Sequence, residues 1–412
     1  TLLMNRNLEL LDPAIMGNED TMYSLLNHLR EHDPVTYVDH PQYEPFWALT
    51  RHEDIKFVSQ NNSRFLNNPR TLLVQKQFEQ ALLKQFGTRN GLETLIHMDA
   101  PKHKTLRAVT RDWFKPGPIG KRSTSLEIIA KQYVDKMEAL GGECDFVKEI
   151  SLLYPLQAIM AIIGVPPEEE AMMLKLTQEL FGGADPSQAR GAENNDAMAV
   201  IMDFFTYFTA LVEDRKKNPK DDLATVLATA VVNGEPMEQL DQISYFIIAA
   251  TAGHDTTAAT IAGGLKALIE NPEQLQKLRD NPELCNSAAR EMIRYTAPVR
   301  HMMRTTTQDE TFQGQSIKAG ESLCLWYPAA NRDSDAISNP DVFDIQRDNK
   351  AQLAFGSGSH MCLGQHLAVL EVELFFRELL PRIKSIEMAG DIEWLKTNFV
   401  GGPKAMPVRY QF

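Results

Sequence analysis

The sequence predicts a mainly α fold with small β-sheets at its margins. Helical apolar periodicity dominates from Pro101 to about residue 298. β-like runs are confined to the stretch around 34–50 and to the region beyond Pro298. The composition, 43% hydrophobic and 24% charged with 23 Gly and 22 Pro in 412 residues, is that of an ordinary globular chain and argues against broad disorder.

Taken in order, 34–38 and 46–50 read as strands around a Pro-Gln-Tyr-Glu-Pro turn, and 52–60 reads as a helix. Residues 66–96 are polar, mixed in periodicity and carry one short helix. Pro101 suits a first helical turn, with Asp99 as its cap. Helical periods follow at about 123–140, 149–163, 167–181, 195–217, 221–232 and 238–269. The last would measure about 45 Å at 1.5 Å per residue. It is apolar on most sides over 245–252, so it is expected at the centre of the molecule. Short strands come next, at 311–317 and 322–327, followed by a long helix over 363–380. Further short strands fill 385–412, joined at Gly401-Gly402-Pro403. There is no internal repeat or low-complexity tract.

Lys and Arg number 42 against 55 Asp and Glu, a net charge of −13 that disfavours nucleic acid and anionic membranes as partners. No stretch approaches the ~20 apolar residues of a membrane span. The first twelve residues lack a signal-peptide core, so the expected location is the cytoplasm. Cys144, Cys285, Cys324 and Cys362 are widely spaced without any C-x-x-C, against both a disulfide framework and a zinc ribbon. Between 97 and 122, seven cations (Lys102, Lys104, Arg107, Arg111, Lys115, Lys121, Arg122) stand against Asp99 and Asp112 alone. Such a basic face is either a docking surface for an acidic partner or a solvated helix face.

The most informative segment is Phe355-Gly356-Ser357-Gly358-Ser359-His360-Met361-Cys362-Leu363-Gly364. Its glycines permit backbone conformations closed to other residues. Cys362 falls where the last long helix is expected to begin, and a helix N-terminus favours thiolate over thiol. A lone thiolate on a rigid loop suits a single axial ligand to iron. Other readings stay open for these residues alone. Cys362 is equally an ordinary buried hydrophobe, and His360, Cys362 and His366 imitate part of a zinc site with no fourth ligand nearby. Gly356-x-Gly358 imitates a dinucleotide loop whose third glycine is misplaced.

As a whole the run carries F-G-x-G-x-H-x-C-x-G, and on it the chain resembles the haem-thiolate monooxygenases, the cytochrome P450 family. Further motifs agree. Glu291 and Arg294 form E-x-x-R, an i,i+3 pair, with Arg347 as the third member that the resemblance implies. Ala252-Gly253-His254-Asp255-Thr256-Thr257 puts poor helix formers in the middle of the expected central helix. That is either a packing notch or, as the resemblance implies, the flank of an oxygen-binding pocket. His103 and Arg107 share one helix face, and in the family this spacing binds a haem propionate. Arg304 and His360 match two further propionate partners.

The resemblance therefore implies a P450 fold of one haem domain over 1–412, with its long central helix over haem. A β-rich lobe would comprise about 30–60, 300–330 and 385–412, and a helix-rich lobe about 97–298 and 363–380. It implies haem b held by Cys362, which would push electron density onto the iron. Asp255 would deliver protons to oxygen and Thr256 would donate a hydrogen bond to it. His254 receives no role. Glu291, Arg294 and Arg347 would serve folding and cofactor retention.

The implied reaction is monooxygenation of a C–H bond with dioxygen. No flavin or reductase domain is recognisable in these residues, so electrons would come from an iron–sulfur ferredoxin with an NAD(P)H-dependent ferredoxin reductase. Lys104, Arg111 and Lys115 would help to dock it. Runs at 142–146, 173–178 and 398–404 resemble the terpineol-hydroxylating branch of the soluble bacterial class. They imply a monoterpenoid or a similar alkyl-aromatic as substrate. The substrate pocket is expected to use Ile248, Thr251, Ala252, Val299, Met302 and Val400, each of which is equally read as core packing, with further contacts from 66–96. Rival readings are action on fatty acids or steroids, peroxygenase or dehydratase chemistry, a haem sensor without turnover, and a zinc-binding helical scaffold.

Overall fold

The protein is described from a computed structural model covering residues 6–181 and 194–412; the first five residues of the N-terminal segment considered above lie outside the described residues. Helices predominate. Strands β1 (Val35–His40), β2 (Tyr43–Leu49) and β3 (Phe65–Leu66) precede helices α1 (Lys102–Arg111), α2 (Ser123–Ala139), α3 (Leu153–Ile163), α4 (Gln239–Ala252), α5 (Asp255–Glu270) and α6 (Cys285–Thr296). Strands β4 (His301–Thr306) and β5 (Ser322–Trp326) come next, then α7 (Gln365–Leu379). The five strands form one sheet in the order β1-β2-β5-β4-β3, with β5 parallel to β2 and antiparallel to β4.

Alternation along β5 explains how this sheet is buried on both faces. Cys324 and Trp326 pack with Leu25, Leu26 and Leu29 of the helix Glu19–His32, while Leu323 and Leu325 pack with Ile55 and Val58. A second, larger core unites α2, α3, α4, α5, α6 and α7. Helix α3 is apolar nearly all round, with Leu156, Ile159, Met160 and Ile163 fully or almost fully buried. Each such side chain contributes about 1.5–3 kcal/mol on burial. Helix α5 packs on both α3 and α6, and α6 packs on α7, which follows Cys362.

The strands expected near 34–50 and the helix His52–Gln60 are present. So are the helix Lys76–Phe86 within 66–96 and the helices Glu170–Phe181 and Asn194–Lys217. The single central helix is not. It is interrupted between Ala252 and Asp255, where His254 takes φ −123° and ψ −51°. A Cβ on Gly253 would lie 2.5 Å from the Ala249 carbonyl oxygen and 2.8 Å from Ile159 Cγ1, so the backbone here is pressed against α3. The poor helix formers of this segment mark the break.

Other boundaries shift for local reasons. The period at 221–232 ends as helix Leu223–Ala228, and Val231–Val232 turns into a hairpin through Asn233 and Gly234, both at positive φ. Likewise 311–317 is a hairpin of Glu310–Phe312 with Gln315–Ile317, not one strand. The period at 149–163 opens with a widened turn, Val147–Ser151, before α3. Asp99 does not cap α1 with its side chain. Its carboxylate accepts the amides of Asn67 and Asn68 at 2.8 and 3.0 Å, and only its carbonyl reaches the His103 amide.

Candidate functional site

The cysteine loop is held from both sides. The Cys362 amide donates to the Phe355 carbonyl at 2.8 Å, closing a turn in which Gly356 and Gly358 sit at φ 74° and 78°. A Cβ on Gly358 would lie 2.2 Å from the Ser59 carbonyl, so the loop lies directly on the end of the helix His52–Gln60. The Asn62 side chain accepts the Ser359 amide at 3.1 Å. Cys362 precedes the first residue of α7 by three positions, and the amide of Gly364, the N-cap of that helix, reaches its sulfur. Burial pushes the Cys362 thiol up, while that amide and the Arg107 charge pull it down. The other cysteines are placed differently. Cys324 is buried in β5, Cys285 opens α6 and is pushed up to about 11 by burial, and Cys144 lies on the short strand Glu143–Asp145.

Four cationic or potentially cationic residues converge beside this loop. His103 and Arg107 project from α1, Arg304 from β4 and His360 from the loop itself. The His103 and His360 rings stack with centroids 3.8 Å apart, and Arg107 Nη2 donates to the Met361 carbonyl at 2.6 Å. Burial first, and then the neighbouring positive charges, push His360 down to about 2 and His103 down to about 4. His103 Nε2 and Arg304 Nε are buried with no hydrogen-bond partner. Such donors are costly to bury unless an anion answers them. Two carboxylates are the natural complement to this set, so the residues fit the propionates of a haem that Cys362 would hold.

Sequence reading missed two neighbours of the cluster. Asn67 Nδ2 lies 3.3 Å from His360 Nδ1, and the buried Tyr327 acts on Arg304. Both come from segments distant in sequence with no motif of their own.

Glu291, Arg294 and Arg347 meet as expected. Glu291 is wholly buried in α6 and receives Arg294 Nε at 2.5 Å, Arg294 Nη2 at 3.1 Å and Arg347 Nε at 3.1 Å. Arg294 also donates to the carbonyls of Asn331, Pro340 and Val342, and Arg347 to those of Ser338, Asn339 and Val342. The Asn331 side chain in turn accepts the Leu353 amide at 2.7 Å, two residues before Phe355. The triad thus hangs the segment leading to the cysteine loop on α6.

At the helix break, His254 Nε2 lies 3.2 Å from Asp255 Oδ1. Burial pushes the Asp255 carboxyl up, opposed by His254. The Asp255 side chain nevertheless remains 36% accessible although its helix belongs to the core. The Thr256 hydroxyl donates to the Ala252 carbonyl at 3.0 Å. One residue on, Thr257 hydrogen-bonds the buried Glu371 of α7, whose carboxyl burial drives well up. That buried acid carried no sequence signal.

The six residues expected at the substrate pocket fall into two groups. Ile248, Thr251 and Ala252 form one stripe on α4, none of them fully buried. Val299 pairs with Val400 in an isolated antiparallel bridge, and Met302 follows on β4. A Cβ on Gly402 would lie 2.8 Å from Ala259 Cβ, so the C-terminal turn is seated on α5.

The basic stretch is more neutral than its composition. Lys115 pairs with Asp112 at 2.7 Å, and Arg122 pairs with Asp221 at 2.9 Å and covers the Trp113 ring. Arg107 is turned inward. Lys104 and Lys121 are exposed and enter no ion pair among the described residues. No helix among the described residues is long and apolar enough to cross a membrane.

Comparison with known proteins gives the family and the fold. The family model described as Cytochrome P450 matches residues 185–399. The chain is 38% identical to Cytochrome P450-terp of a Pseudomonas species over 97% of this chain and 95% of that one. It is 30% identical to linalool 8-monooxygenase of Pseudomonas putida over 94% and 95% of the two chains. The crystal structure of CYP108D1 from Novosphingobium aromaticivorans superposes with a TM-score of 0.91 at 39% identity, covering 98% of each chain.

Proposed function

The chain belongs to the cytochrome P450 family, a haem b-dependent monooxygenase, and from that premise we propose that it hydroxylates a monoterpenoid such as terpineol, or a similar alkyl-aromatic. The proposed electron donor is an acidic iron–sulfur ferredoxin served by an NAD(P)H-dependent ferredoxin reductase. The observation that carries the site assignment is the meeting of Cys362 with His103, Arg107, Arg304 and His360, of which His103 Nε2 and Arg304 Nε are buried without a partner. Two relatives whose names point to terpenoid chemistry, and the aliphatic Ile248, Val299 and Val400, support the substrate class.

When bound, haem supplies the cleavage of dioxygen with two electrons and two protons and the insertion of one oxygen atom into a C–H bond. The Cys362 sulfur would hold the haem iron, and the Gly364 amide and the Cys362–Phe355 turn fix the position of that sulfur. Arg304 and His103, whose Nε and Nε2 atoms are unanswered, would hold the propionates. Asp255, whose carboxyl burial favours in the protonated form, holds a proton at Oδ and passes it toward Thr256 Oγ. For Thr256 to donate there, its hydroxyl must exchange the Ala252 carbonyl for the reacting oxygen. His254 keeps the Asp255 carboxylate turned to its own side of the break. Met302, Val299 and Val400 exclude water and orient the apolar substrate.

A ligand screen that follows the haem optical spin-state shift tests the substrate class. Monoterpenes and alkylbenzenes are expected to give the tightest complexes. A preference for long-chain fatty acids or steroids overturns the terpenoid reading.

A further inference from the structure

His301 lies at the start of β4 and is wholly buried, yet both ring nitrogens are engaged by backbone from remote segments. Nε2 accepts the Leu73 amide at 3.0 Å, and Nδ1 donates to the Asn398 carbonyl at 2.6 Å. These partners fix one tautomer, with the proton on Nδ1. Burial pushes the imidazole down to about 4, which leaves Nε2 free to accept. The ring is wedged between Trp326 and Phe399, with centroids at 5.0 and 5.6 Å.

The two bonded segments lie beside residues of the proposed cleft wall. The Thr71 carbonyl accepts the Met303 amide at 2.7 Å, so 71–73 runs along β4 beside Met302. On the other side the Phe399 carbonyl accepts the Arg300 amide at 2.7 Å, and Val400 bridges Val299. Apart from His301, the hydrogen bonds that tie the two segments to 299–303 come from the backbone, at Thr71, Phe399 and Val400. The histidine is the one side chain among the described residues that hydrogen-bonds to both, directly behind the pocket residues Val299 and Met302.

We propose that His301 is a positioning residue that clamps the 71–73 segment and the 398–400 turn onto β4 and so sets the width of the substrate cleft. The inference rests on the reading that Val299, Met302 and Val400 line that cleft.

Two variants cut the clamp one arm at a time. His301→Asn retains a donor near the Nδ1 position but is too short to accept from Leu73. His301→Gln retains an acceptor near the Nε2 position but gives up the Asn398 bond. In the haem-loaded protein without substrate, His301→Asn is expected to speed amide exchange in 71–75, and His301→Gln to speed it around 398–400, each about tenfold. Terpineol, followed by its optical shift, is expected to bind about tenfold more weakly to each variant. KM should rise with little change in kcat, and carbon monoxide binding to the reduced haem should be unchanged.

Unaltered exchange in both segments overturns the clamp. So does faster exchange with unaltered ligand affinity and KM. If one variant does not fold, the other decides. If terpineol gives no shift with the unaltered chain, the substrate reading fails alone, and the affinity comparison is made with the compound of the screen that shifts the spectrum most.

Discussion

His103 on α1 and His360 in the cysteine loop stack with ring centroids 3.8 Å apart, although 257 positions separate them. Two neutral imidazoles can stack this closely, whereas two cations would repel, and both are held neutral by burial and by Arg107 and Arg304. The helix bearing one half of the cluster is thereby fastened to the loop bearing the other.

The cluster's unanswered donors yield the first prediction. Arg304→Ala is expected to leave the fold intact and to weaken haem retention by about 10–100-fold, the loss of a charge-assisted hydrogen bond of about 1.5–3 kcal/mol. Haem transfer to apomyoglobin measures it. Unchanged transfer kinetics would remove Arg304 from the propionate site.

Asp255→Asn keeps the shape of the side chain and removes its proton. Product formation is expected to fall by about 100-fold or more while the substrate-induced optical shift stays the same. Stopped turnover assays with ferredoxin and reductase compare the two quantities. A variant as fast as the unaltered enzyme would show that protons reach oxygen by another route.

Exposed, unpaired cations steer an acidic partner more than paired ones do. Lys104→Glu and Lys121→Glu are therefore expected to slow ferredoxin-dependent reduction and to flatten its dependence on ionic strength. Lys115→Glu has a smaller expected effect on long-range steering, because Asp112 already offsets its charge at 2.7 Å. Reduction rates across a salt series distinguish the three. Equal rates in all variants would assign the basic stretch to ordinary solvation.

His97 and His301 are both pushed down to about 4 by burial. An unfolded chain takes up these protons near its ordinary value of about 6.5, and the folded chain refuses them until about 4. Their contribution to stability is thus fully present above about pH 6.5 and is lost as the pH falls toward 4, by about 3 kcal/mol per histidine at most. Urea unfolding at pH 7.5, 6 and 5 should show the midpoint falling. A midpoint flat over that range would mean that neither imidazole is held neutral.

Most of the helices were legible because their apolar periodicity is local, and the haem-side motifs because each is short and carries its own spacing. Glu291 and Arg294 needed only i,i+3 geometry to be paired, whereas Arg347 needed the resemblance, since the loop that returns it to α6 has no local code. The break at Gly253 was signalled by poor helix formers, but its reason, close approach to Ile159 of α3, is tertiary. Asp99 looked like a cap from position alone, yet amides 31 and 32 residues earlier claimed its carboxylate. Glu371 and His301 were invisible for the same reason. Their significance lies wholly in what folds against them.

The account turns on sulfur from Cys362 as the ligand to haem iron. The reduced, carbon monoxide-treated protein is therefore expected to show the red-displaced Soret absorption of thiolate coordination, and Cys362→Ser is expected to abolish it. A folded, haem-loaded protein lacking that absorption, or a Cys362→Ser variant retaining it, would contradict the account.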